Sequence, residues 1–500
     1  MRAKLSLFAL LLGSVLASGA IAVTTTSDDP HAWLEDVHGA KPLDWVREQN
    51  ARSLAQLKSD PRYQTDYDSV LEVLDATDRI PMGSLRHGHV YNFWQDAQNP
   101  KGLWRRTTIA DYQAHFPHWD VLLDVDALAK TEGENWVFKG ASCSPGETRC
   151  LIQLSRGGGD AVAVREYDLK DRKFVTDGFS LPEAKGDMDY LDDDTVLFAS
   201  ALGPQTNSGY ARTARLWTRG KAVADSPVIY EGKPEDVLVA PAIFHTKQGN
   251  IGLVVRAVSF FESEYYLPGS DGVWWKLPLP RAADMKGVFD NKLIFTLREN
   301  WTLPSGVTLT KGSLVGMALD GTLPDKVGRI STLYVPGPRQ SIESVGVGRD
   351  KIYAAITDNV IGAVHVFTAR GSGWTDKILA LPGQGTTAVV SVNEFGPEAL
   401  ISFENYLTPP TLYFDDGSDT PKAIKSLPAR FDASGMVTEQ FEAASKDGTK
   451  IPYFVTRPKN LAGPAPTILY GYGGFEVSLT PSYSANFGRL WLSHGGIYVV

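Results

Sequence analysis

The chain has 500 residues, 43% of them hydrophobic and 21% charged, with a formal net charge of −9. That length exceeds what one hydrophobic core usually holds, so two or more domains are expected, and the composition is that of an ordered globular chain. The acidic balance argues against nucleic acid as a partner and gives no reason to expect attraction to anionic membranes.

Residues 1–22 read as a secretory signal peptide. Arg2 and Lys4 give a basic start, residues 5–16 are apolar, and Ala20, Ile21 and Ala22 supply small residues for a cut after Ala22. The apolar run is shorter than the roughly 20 residues that cross a bilayer, so the mature chain is expected to be exported, periplasmic or secreted, with no membrane partner. Losing Arg2 and Lys4 takes the formal charge from −9 to −11.

Residues 23–78 form an N-terminal helical segment behind a short polar linker. Leu43, Val46, Leu54 and Leu57 recur near helical spacing over residues 42–57, with Pro42 at the start. A second helix is expected over residues 63–76, with Tyr67, Val70, Leu71 and Leu74 on its apolar face.

From residue 79 to 430 the texture changes to short apolar or alternating runs, such as residues 90–94, 103–109, 161–167, 195–198, 251–255, 292–295, 351–355 and 411–414. Asp271-Gly272, Asp320-Gly321 and Asp416-Gly417 are hairpin signals between them. So many strands with few helices imply repeated antiparallel sheets. At about 50 residues per four-stranded blade, roughly 350 residues amount to a seven-bladed β-propeller, with a β-sandwich array as the competing architecture. No sharp internal repeat is legible.

Cys143 and Cys150 flank a turn at Ser144-Pro145-Gly146, and pairing of residues 135–138 with 150–154 would bring the sulfurs across a hairpin. A disulfide and a pair of small buried thiols both remain open. A metal site is disfavoured, because two cysteines without a neighbouring histidine fall short of four ligands.

Residues 431–500 alternate again through 440–444, 451–455 and 467–469 and read as the opening strands of an α/β-hydrolase sheet. A helical crossover over residues 487–493 and a further strand at 496–500 follow. Residues 465–470 read as a buried strand that must end at Tyr470-Gly471-Tyr472-Gly473-Gly474-Phe475. Open α/β sheets place ligands at the carboxyl edge of their strands, so Tyr472 would present a phenolic donor there, suited to an oxyanion developing at an attacked carbonyl. Read alone, the same residues are a tight turn with aromatic packing.

Together with Ser445-Lys446-Asp447-Gly448 and Thr480-Pro481-Ser482-Tyr483-Ser484, and with Asp29-Pro30-His31-Ala32-Trp33-Leu34-Glu35-Asp36 near the other end, this motif resembles the prolyl oligopeptidase family of serine peptidases. The resemblance spans residues 29–500. It implies a seven-bladed propeller plus an α/β-hydrolase domain built by both ends of the chain, incomplete within these residues. It implies that the Tyr472 hydroxyl pairs with a backbone N–H beside a catalytic serine and that Phe475 lines the substrate side, though simple core packing also fits Phe475. It further implies hydrolysis of short peptides, after proline, through an acyl-enzyme, with no cofactor and with a monomer favoured. A relative that prefers basic residues, and an exported propeller that binds a partner without catalysis, are the alternatives.

An α/β-hydrolase nucleophile sits in Gly-x-Ser-x-Gly, followed by an acid and then a histidine. No such pentapeptide occurs in residues 1–500. The expectation is therefore a chain that stops before its serine, aspartate and histidine and is inactive by itself. Other candidates are weaker. His87 and His89 would share one face of a strand with no acidic ligand nearby, Asp192, Asp193 and Asp194 suit a solvated turn, and Gly157, Gly158 and Gly159 lack the lysine of a phosphate loop. His494 arrives before any nucleophile.

Overall fold

In the computed structural model the described residues are 29–269, 271–324, 326–474 and 477–500. The expected signal peptide, residues 1–22, and Phe475 lie outside them. Among the described residues, seven antiparallel sheets follow one another, over residues 84–124, 136–184, 186–231, 238–276, 283–334, 340–378 and 386–426. Six have four strands. The second adds a fifth, Ser180–Ala184, and a two-stranded hairpin interrupts the fifth sheet.

First strands face first strands around most of the series, and the first and second sheets share a core that includes Tyr91, Trp104, Trp136 and Cys143. Leu238–Thr246 touches Gly186–Asp192 on one side and Ala283–Phe289 on the other, and Thr386–Val392 touches both Gln340–Val347 and Ser84–Arg86. The sheets thus close a ring. No strand is shared between the first sheet and the last, so side chains make the closure: the Leu85 N–H donates to Ser391 Oγ at 2.9 Å, and Leu85, Val90, Ile109 and Tyr112 bury against Leu400, Leu412 and Phe414. A sheet wedged between two others is apolar on both faces, which is why a middle strand such as Ile352–Asp358 is buried at every position but its last.

The antiparallel order places the turn after every first strand at one end of the ring and the turn after every second strand at the other. At the first end Phe395 stacks on His87 at 3.6 Å, lies 5.4 Å from the His245 ring and has the Arg86 guanidinium 4.6 Å away. The first, fourth and seventh sheets therefore meet there. His87 does not share a strand face with His89 as the alternation suggests: it sits in the turn with φ of 42°, because the strand Ser84–Arg86 ends one residue earlier. No cluster of potential metal ligands occurs among the described residues.

Cys143 and Cys150 are directly opposed in the antiparallel pair of the second sheet and are joined as a disulfide. Gly157 and Gly158 take left-handed φ in a turn. Asp192 accepts the Asp194 N–H at 2.9 Å, and Asp194 pairs with Arg219 at 2.8 Å, an ordinary capped turn.

The two ends of the chain meet outside the ring. Helices Ala40–Lys58 and Tyr63–Leu74 precede it, and a mixed sheet follows in the order Met436–Ala444, Lys450–Pro458, Ile497–Val499, Thr467–Leu469, its last two strands parallel. The crossover between those parallel strands is the helix Ala485–Leu490, capped by Ser484, and the turn Leu492–His494. Arg489 ties the ends together: Nε donates to the Arg430 carbonyl at 2.8 Å, Nη1 to the Ser69 carbonyl at 3.1 Å and to Glu72 at 2.9 Å.

One expectation needs correction here. The strand read as buried over 465–470 is the edge strand Thr467–Leu469, and Leu469 is 77% exposed because only Ile497–Val499 flanks it among the described residues. On the first helix Leu54 and Leu57 are exposed, and its main contacts are with the second helix and the turn Ala32–Glu35. The second helix contacts the helix Ala485–Leu490, and Asp78 just after it pairs with Arg430.

Candidate functional site

The Tyr472 segment is held at both of its ends and spans between them. At the start, Thr467, Ile468 and Leu469 pair with Ile497, Tyr498 and Val499, and the Tyr470 N–H donates to the Val499 carbonyl at 2.8 Å. Past Tyr470 the backbone leaves the sheet. Tyr472 is half exposed, and its ring folds over Gly474, where a Cβ would lie 2.8 Å from the phenolic oxygen. A side chain at position 474 would therefore displace the phenol, whereas Gly471 and Gly473 face open space.

At the far end of the span the ring takes hold. Thr386 Oγ1 donates to the Pro481 carbonyl at 2.6 Å, and the Tyr483 N–H donates to Glu404 at 2.8 Å. The Tyr483 hydroxyl accepts the Arg430 N–H at 2.7 Å while its ring stacks on Phe431 at 5.3 Å. Burial pushes the Glu404 carboxyl above its ordinary range, and the Tyr483 N–H only partly opposes this.

Beside this grip an aromatic cluster seals ring to sheet. Tyr406 lies 5.6 Å from Phe454 and 6.1 Å from Tyr498, and Phe487 stacks on Tyr498 at 4.6 Å. Gln440 donates to the Asn359 carbonyl, and Arg339 pairs with Glu442. Thr386, Glu404, Tyr406 and Asn359 all belong to the ring end opposite Phe395, so the C-terminal sheet sits on that end. Tyr472 is presented on the same side.

The sequence reading singled out Tyr472 but missed Thr386, Glu404 and Arg489. A threonine that opens a strand and a glutamate that closes one carry no local signal, because their partners lie 95 and 79 residues away. His494 is exposed on the turn after the helix, its N–H donating to the Trp491 carbonyl at 3.2 Å. A groove of about 550 Å³, lined by Leu191, Asn250, Trp274 and Leu319, opens at the Phe395 end of the ring, away from Tyr472.

What the chain is similar to agrees with this architecture. Residues 22–425 match the family described as prolyl oligopeptidase, N-terminal beta-propeller domain. A Sinorhizobium fredii protein named an uncharacterized peptidase is 37% identical over 95% of this chain and 67% of its own length. A second of that description, from Rickettsia prowazekii, is 31% identical over 94% of this chain and 68% of its own length. Among solved structures, a post-proline cleaving enzyme from Rickettsia typhi aligns with a TM-score of 0.82 at 30% identity, over 93% of this chain and 70% of that one.

Proposed function

The chain belongs to the prolyl oligopeptidase family, a family of serine peptidases, and from that premise we propose that it supplies the propeller and the opening of the hydrolase domain of an exported oligopeptidase that cleaves short peptides after proline. In this reading the seven sheets are seven blades. The mixed sheet at residues 436–499 is the start of an α/β-hydrolase sheet, and the serine, the acid and the histidine belong to the part of the relatives' length that these residues do not span. The exposed apolar residues Leu54, Leu57 and Leu469 are the surfaces on which the remainder of a hydrolase domain would pack.

One observation carries the proposal: a half-exposed phenol at the carboxyl end of a sheet strand, on the side of the ring that meets that sheet. Attack of a serine on a peptide carbonyl develops negative charge on its oxygen, and the Tyr472 O–H, with a backbone N–H beside the serine, donates to that oxygen. The proton of the serine passes to the histidine and then to the leaving amine, and water releases the acyl group by the same steps in reverse. The closed ring restricts access to short peptides, and the disulfide suits an oxidising compartment outside the cytosol.

The test is hydrolysis by the full-length protein of matched chromogenic peptides with proline, arginine or alanine before the scissile bond, with labelling by a fluorophosphonate. Preference for proline and stoichiometric labelling are expected. Preference for arginine would move the assignment to the basic-specific branch, and absence of both turnover and labelling would leave a non-catalytic propeller.

A further inference from the structure

Thr386 and Glu404 are direct cross-strand partners at the rim of the seventh sheet, Thr386 opening its first strand and Glu404 ending its second. One side chain donates to the carbonyl of Pro481 and the other accepts the N–H of Tyr483, so a single rim pair grips two backbone groups on alternate residues of the Tyr472 segment. This is the spacing at which a neighbouring strand would pair. The rim itself is fixed: the Gly362 N–H donates to the Gly385 carbonyl at 2.8 Å, and a Cβ at Gly385 would lie 2.5 Å from the Glu404 carbonyl oxygen and 2.6 Å from the Phe403 ring. The other anchor, the Tyr470 N–H on Val499, belongs to the C-terminal sheet. Between the two anchors stand the ten residues that carry Tyr472.

We propose that Thr386 and Glu404 are positioning residues for Tyr472, through which the propeller sets the geometry of the oxyanion site across the domain boundary. The inference rests on the oxyanion role proposed above for Tyr472. A span fixed at one end only samples many positions of the phenol, and an oxyanion donor acts only where its O–H is within hydrogen-bond reach of the developing charge. The ring would then do more than limit access: it holds one side of the reacting centre in place.

The experiment uses the full-length protein with Thr386→Val, Thr386→Ser, Glu404→Leu and Glu404→Gln, each in the native background and in Tyr472→Phe, with kcat and KM measured on a short proline peptide. Val and Leu remove the donor and the acceptor, whereas Ser and Gln keep them. In the native background Thr386→Val and Glu404→Leu are each expected to lower kcat by about 10-fold to 100-fold with KM within about twofold. Thr386→Ser and Glu404→Gln are expected to stay within about threefold. In the Tyr472→Phe background the loss from Val or Leu shrinks below about threefold, because the group being positioned is gone.

Equal losses in both backgrounds would overturn the inference, as would losses confined to KM and to the urea midpoint. If either Val or Leu variant fails to fold, the other and the Ser and Gln pair still decide the outcome. If Tyr472→Phe alone leaves kcat unchanged, the oxyanion reading fails and the positioning role falls with it. If Tyr472→Phe lowers kcat while the rim variants do not, only the positioning role falls.

Discussion

Removing Arg219 is expected to destabilise the protein more than removing the carboxylate it pairs with. Glu166, in the second sheet, is fully enclosed, and Arg219 forks onto it with two hydrogen bonds of 2.8 Å. The Tyr190 hydroxyl adds a third at 2.6 Å and the Phe179 N–H a fourth at 3.2 Å. Burial alone would raise the Glu166 carboxyl, but Arg219 and the other donors outweigh it and hold the group below its ordinary range. Arg219 is less dependent on this partner, because it is 23% exposed and also pairs with Asp194. Arg219→Met leaves a carboxylate enclosed without its cation, at a cost of about 3–5 kcal/mol. Glu166→Gln keeps the shape and leaves Arg219 with Asp194 and water, so about 1–3 kcal/mol is expected.

The pH dependence separates the two effects. A carboxyl held below its unfolded value contributes stability above that value and loses it as pH falls through the folded one, so the native pair weakens on acidification. In Arg219→Met the folded carboxyl lies above its unfolded value, protonation relieves the penalty, and the deficit relative to the native protein narrows as pH drops from 7 to 5. Equilibrium urea unfolding at both pH values is the assay. A larger cost for Glu166→Gln than for Arg219→Met, or an Arg219→Met deficit that widens in acid, would refute the reasoning.

Two further outcomes follow from the same kind of argument. Glu264, pulled down to about 2 by Lys276, Arg281 and Tyr266 against the burial that opposes them, contributes stability that is lost as pH falls from about 4.5 to about 2. Lys276 and Arg281 are 43% and 48% exposed, so solvent screens them and roughly 1–2 kcal/mol is expected in acid titration of the native protein against Glu264→Gln. The Cys143–Cys150 bridge closes a loop with a sequence separation of 7, and loop-closure entropy puts its contribution at about 2.5 kcal/mol. A Cys143→Ala and Cys150→Ala double variant should lower the urea midpoint as much as reductant does in the native protein. A drop with reductant alone would assign the effect elsewhere.

Much of the ring was legible because its signals are local. Residues 292–295 and 411–414 read as strands and lie within Lys292–Leu297 and Thr411–Asp415, since apolar runs between turn residues need no distant information. The repeat itself was not legible. Its period is carried by backbone pairing and mutual burial of sheets, which many apolar residues satisfy equally well, so blades of similar shape share little sequence.

Burial of the strand over residues 465–470 was misread for a related reason. Leu469 has the pattern of a covered residue, yet what covers an apolar face is set by its neighbours in space. Tyr472 could be found because glycines around an aromatic mark a backbone turn at a strand end. Thr386 and Glu404 could not, because their role exists only once residues far apart in the chain are brought to one rim.

The most direct measurement is the rate of phosphonylation by a fluorophosphonate and the kcat on a short proline peptide for the full-length protein with Tyr472→Phe. A donor to the oxyanion predicts a fall of about 10²-fold to 10³-fold in kcat with KM little changed and the fold intact. An unchanged kcat would contradict the assignment of Tyr472 to the reacting centre.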